Sequence, residues 1–114
     1  MFHISTRRYL EPAFAGSDDS LAVWARRLSN KPVICVGSVA LNKAYAIAQL
    51  RGTEDPTAEM VDLSPVEKLL EHEKIDLVAI GRPLLADAYW PLKVKENRLK
   101  EIIPFNRNAF SSTI

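Results

Sequence analysis

An α/β fold with parallel strands is predicted by three features of the chain. The apolar run Val33-Ile34-Cys35-Val36 stops at Gly37-Ser38, and a second run from Ile75 through Leu77, Val78, Ala79 and Ile80 stops at Gly81-Arg82-Pro83. Amphipathic segments with helix-start signals lie between the runs. Short apolar runs closed by glycine read as strands buried on both faces. Helical segments between consecutive strands call for parallel pairing through right-handed crossovers.

The bulk properties narrow the class. With 114 residues, 47% of them hydrophobic, there is enough chain for one domain. The 15 basic and 14 acidic residues leave a formal charge of +1, with neither sign blocked into a tail, so neither nucleic acid nor an acidic membrane surface is an expected partner. No run approaches the roughly 18 apolar residues of a membrane span, and the amino end lacks the charged-then-apolar order of a signal peptide. The one cysteine, Cys35, sits inside an apolar run. It has no partner for an intramolecular disulfide and reads as a core thiol, so a reducing, cytoplasmic setting is expected.

Taken in order, residues 2–5 (Phe2, His3, Ile4, Ser5) form a short strand that starts abruptly, as though preceding units of the fold lay elsewhere. Thr6 to Ser17 has no sustained period and carries Pro12 and Gly16, which marks a loop. Asp18, Asp19 and Ser20 supply capping oxygens for a helix whose stripe is Leu21, Trp24, Ala25 and Leu28, with Arg26 and Arg27 opposite and an end near Asn30. After the strand at 33–36, Ala40 to Leu50 predicts a second helix through Ala44, Ile47 and Ala48. Arg51 to Asp62 is polar and broken, a surface excursion. Ser64-Pro65-Val66-Glu67 is a capping box with proline at the first helical position. The strand at 75–80 follows, then helical pieces at 84–88 and 90–98, and a mixed tail from Ile102 to Ile114.

Two strand ends carry the candidate chemistry. Gly37 and Ser38 offer main-chain N–H groups; Gly81 and Arg82 add an N–H and a guanidinium, a planar fork of donors suited to phosphate oxygens. Ligands bind at the carboxyl ends of strands in α/β folds, and barrels hold phosphate in their last loops. The other candidates are weaker. His3 and His72 lack the spacing of a metal site. Arg7 and Arg8 read as solvated loop ends, Trp24 and Trp90 as packing residues. No catalytic acid, base or nucleophile is visible.

On these residues the chain resembles the old yellow enzyme family of FMN-dependent NAD(P)H oxidoreductases. Phe2-His3-Ile4-Ser5-Thr6-Arg7-Arg8 with Glu11-Pro12 is similar to the family's sixth barrel strand and its loop. PVICVGS (32–38) is similar to the seventh, and IDLVAIGRPLLAD (75–87), with Trp90 and Lys93, to the eighth and its signature ending. The resemblance implies that residues 1–114 are the last three units of a (β/α)8 TIM barrel, and that Gly37, Ser38, Gly81 and Arg82 bind the FMN phosphate. Phe110 is the weak counterpart of an aromatic residue that the family places near the flavin. NAD(P)H would be the reductant and a small molecule the substrate.

A whole barrel needs about 250 residues. The family's flavin-ring residues, its substrate-binding histidine or asparagine pair and its tyrosine acid would precede Met1. A lone segment is then expected to be inactive and, with bare strand edges, to self-associate. Two rivals remain: a non-redox module that binds a phosphorylated ligand, and a remnant acting only through association.

Overall fold

The computed structural model describes residues 1–44 and 46–110, the side chains of Leu50 and Phe110 apart. The elements are β1 (Phe2–Ser5), α1 (Leu21–Ser29), β2 (Val33–Val36), α2 (Ile47–Leu50), α3 (Ser64–Glu71), β3 (Leu77–Val78), α4 (Arg82–Ala86) and α5 (Trp90–Lys95), with 3-10 turns at Leu99–Glu101 and Arg107–Phe110. They fall into two compact units, one of Met1–Val39 with Asp62–Ile80, the other of Ala40–Val61 with Gly81–Ile114.

The first unit holds a parallel sheet in the order β1-β2-β3, with Phe2 opposite Val33 and Cys35 opposite both Ile4 and Val78. The α/β class and the parallel pairing of the two apolar runs are as the sequence predicts. The alternation along β2 sets the core: Val33 and Cys35 are buried, while Ile34 and Val36 are half-buried. Burial pushes the Cys35 thiol up to about 11, so it stays protonated and inert at neutral pH.

β3 is shorter than its apolar run suggests. Only Leu77 and Val78 join the ladder, and Leu77 is half exposed, because an edge strand has one neighbour and is not covered on both faces. The residue before it compensates. Asp76 Oδ2 accepts the Val33 N–H at 2.8 Å and the Arg26 Nε–H at 3.0 Å, which ties the start of β2 to α1.

That ion pair also explains why α1 turns a different face inward from the one predicted. Its buried residues are Ala22 and Val23, and Arg26 lies one turn further on the same side. Leu21 is left 42% exposed and Leu28 77% exposed. Ser20 occupies the N-cap with extended backbone but makes no capping bond; Asp19 is paired instead with Arg27, at 2.8 Å. The helix ends at Asn30, as predicted, in the left-handed conformation with φ 53°.

The capping box of α3 is replaced by an Asx turn. Asp62 Oδ1 accepts the Ser64 N–H at 3.1 Å and its hydroxyl at 2.9 Å. Those bonds hold the Asp62 carboxyl below its usual range. Pro65 sits in the first turn, as predicted.

The second unit departs most from the sequence reading. Among the described residues of 40–50, helix is confined to the single turn of α2, because residues 40–42 pair with 59–61: the Val61 N–H meets Ala40 O at 2.9 Å, and the Asn42 N–H meets Glu59 O at 3.0 Å. Ala40, with φ 66°, makes the turn out of helical geometry. The supposed surface excursion therefore contributes core. Ala58 and Phe105 are each 1% exposed and bridge antiparallel, and they cluster with Leu41 and Ala109. Tyr45 and residues 111–114 lie outside the described residues.

Candidate functional site

In the first unit the turn after β2 is stitched to the loop after β1. Gly37 has φ 140° and is buried; a Cβ there would stand 2.5 Å from Thr6 O and 2.6 Å from Thr6 Oγ1. Glycine is thus required by the close approach of two strand ends. Thr6 Oγ1 donates to Val36 O at 2.8 Å, and the Tyr9 N–H donates to Gly37 O at 2.8 Å. Ser38, at φ 56°, donates its hydroxyl to Arg7 O at 2.7 Å. With that hydrogen committed, the main-chain amides are the groups of the right polarity for an anion.

Beside this turn, Thr6, Arg8, Glu11, Phe14 and Leu21 line an open cleft of about 240 Å³. Phe14 meets Trp24 edge-on with ring centroids 5.5 Å apart, and the Arg27 guanidinium lies 4.3 Å above the Trp24 ring. Both tryptophans pack, as expected: Trp24 in this cluster, and Trp90 at 7% exposure in the second unit. His3 and His72 are exposed, and among the described residues no His, Cys, Asp or Glu side chains group to hold a metal ion.

In the second unit Gly81 and Arg82 open α4, with Pro83 buried behind them. Among the described residues, its chain neighbours apart, no atom lies within 4 Å of where a Gly81 Cβ would be, so none of them demands glycine there. The Gly81 main chain is therefore open on that side. The helix is only five residues long, so the fixed charge of Arg82 matters more than the helix dipole. Arg82 as a residue is half-buried, with Nη1 buried, and its guanidinium carbon lies 5.9 Å from the centroid of the Phe105 ring.

Phe105 went unseen in the sequence because it falls in a stretch without periodicity. A second missed feature fixes its approach. Asp87 is 2% exposed; its Oδ2 accepts Lys93 Nζ at 2.7 Å and the Ile103 N–H at 3.0 Å, and its Oδ1 accepts the Tyr89 N–H at 3.0 Å. The Lys93 bond first, then the amides, hold its carboxyl below the usual range. Lys93 Nζ also donates to Glu101 O at 2.9 Å. The chain after α5 is thereby fastened at two points shortly before Phe105. A separation of six between acid and base is no helical pairing, so only the carboxylate and lysine types were visible beforehand. The Phe110 side chain, the weak aromatic candidate, lies outside the described residues.

No helix among the described residues is long and apolar enough to cross a membrane. No family profile matches the chain. A 36-residue stretch is 50% identical to the NADH oxidase of Thermoanaerobacter brockii; it covers 32% of this chain and 6% of that protein. The likeness is to an oxidoreductase, over a short segment.

Proposed function

We propose that the chain is the carboxyl-terminal part of an FMN-dependent NAD(P)H oxidoreductase of the old yellow enzyme type, contributing the loops that hold the FMN phosphate. The observation that carries this reading is the 50% identity over 36 residues to an NADH oxidase. The parallel β/α order supports it, being compatible with the last units of a (β/α)8 barrel.

The chain's own part is binding. Arg82 brings a permanently charged fork of donors; Gly81 leaves its main chain open to an oxyanion. The Gly37-Ser38 turn would add main-chain amides, and assigning it to the same phosphate rests on the sequence resemblance. Held there by Gly81 and Arg82, FMN would supply hydride transfer between NAD(P)H and an acceptor. Ene-reductase-like use of that hydride on an activated alkene is the family's activity and belongs to the whole enzyme.

The test is a titration of the purified chain with FMN followed by the ³¹P shift of its phosphate. Arg82→Ala should cost about 1.5–3 kcal/mol of binding, the scale of a hydrogen bond to a charged group, while Arg8→Ala should leave binding unchanged. Equal losses from both would mean the site is misplaced. Inorganic phosphate binding as tightly as FMN would favour a non-redox phospholigand module, since the open face at Gly81 suits any phosphate monoester.

A further inference from the structure

We infer that Phe105 is a positioning residue for Arg82: its ring fixes the guanidinium that meets the phosphate, so the tail after α5 is part of the anion site. The inference rests on the proposed phosphate role of Arg82 and goes beyond it, to what holds that side chain. An arginine free to sample its rotamers loses entropy when it binds an anion, and a side chain held in place beforehand loses less.

The structure supplies the holding surface. The Arg82 guanidinium carbon lies 5.9 Å from the Phe105 ring centroid, inside the range of a cation–π contact. The ring itself cannot shift easily. Phe105 is 1% exposed and packs with Leu41, Ala58 and Ala109, and its backbone carbonyl accepts the Ala58 N–H at 3.1 Å. Upstream, the Ile103 N–H is bound to Asp87 and Glu101 O to Lys93 Nζ, so the tail reaches Phe105 from two fixed points. Arginine stacks on aromatic faces because its cation is planar and weakly hydrated. A phosphate monoester, as on FMN, is the ligand chemistry this arrangement suits.

Phe105→Leu and Phe105→Met remove the aromatic face and keep an apolar side chain of similar bulk; Phe105→Tyr and Phe105→Trp keep the face. All four are titrated with FMN by the ³¹P shift, and their thermal midpoints are recorded beside the binding. The expected result is that Leu and Met weaken FMN about 2- to 5-fold, the worth of a partly exposed cation–π contact, while Tyr and Trp stay within about 2-fold of the parent. The order of affinities should not follow the order of midpoints, since Tyr and Trp strain a closed core. Affinities that track the midpoints, or a Leu variant that binds like the parent, would overturn the inference and leave the Arg82 site standing. Arg82→Ala binding like the parent, or a parent that leaves the FMN ³¹P shift unmoved at millimolar concentration, would instead overturn the site and the inference with it.

Discussion

Replacing Asp87 with alanine should destabilise the chain more than any other single change to a charged residue described above, and only the tertiary structure shows why. The carboxylate is 2% exposed and takes three hydrogen bonds, one from an ammonium that is itself 12% exposed. Breaking a buried ion pair typically costs about 3–5 kcal/mol. The lower end applies here because Lys93 keeps its bond to Glu101 O at 2.9 Å, whereas the Tyr89 and Ile103 amides lose their acceptor. Asp87→Asn retains an acceptor oxygen and loses the charge, so about 1–2 kcal/mol is expected. Urea unfolding followed by far-UV circular dichroism reads both values.

The pH dependence is fixed in sign. The folded carboxyl is held below its unfolded value of about 3.9. Its contribution is therefore complete above that value and is lost as pH falls through the lower, folded one. Asp55 and Asp62 are also held low, by their bonds from Thr57 and Ser64, but parent and variant share them, so they cancel in the difference. The gap in midpoint between parent and Asp87→Ala should hold from pH 7 to 5 and shrink in strongly acid solution. A gap under about 1 kcal/mol at pH 7, or one that widens on acidification, would refute the buried-pair account.

Gly37→Ala should separate the ends of β1 and β2. A left-handed alanine alone costs about 1–3 kcal/mol, and the 2.5 Å approach to Thr6 O adds overlap, whereas Gly81→Ala, with open space at the Cβ position, should be nearly neutral to folding; matched urea midpoints would contradict this. Purified alone, the chain should elute colourless and self-associated from a sizing column. Phosphate contacts without a closed flavin pocket give weak binding, while the edge strand β1 and the exposed Leu21 and Leu28 of α1 offer pairing and apolar surface. A yellow, monodisperse monomer would mean that these units form a self-sufficient flavin domain.

Local chemistry was enough to determine the strands and their direction. Val33 to Val36 and the run ending at Gly81 are apolar, short and separated by helix-forming sequence, and that admits little besides parallel pairing. Asn30 and Pro65 mark their helix ends for equally local reasons, a tolerance of positive φ and a preset backbone angle. The glycine-plus-donor endings were likewise legible, since they depend on residue type alone.

Tertiary contacts decided what depended on partners distant in the chain. Arg26 faces inward because Asp76, fifty residues away, waits at the head of β2. Ala40 to Asn42 abandons a helical pattern because residues 59–61 offer backbone partners, and pairing across two segments satisfies more main-chain groups than one isolated helical turn. Gly37 is glycine because of Thr6, and Gly81 faces open space; the sequence gives both the same letter. Phe105 reaches Arg82 through a tail with no period to read, fastened by an aspartate and a lysine six residues apart. Periodicity reports only the face that an element turns toward its surroundings, and contacts between separate segments leave no period in either one.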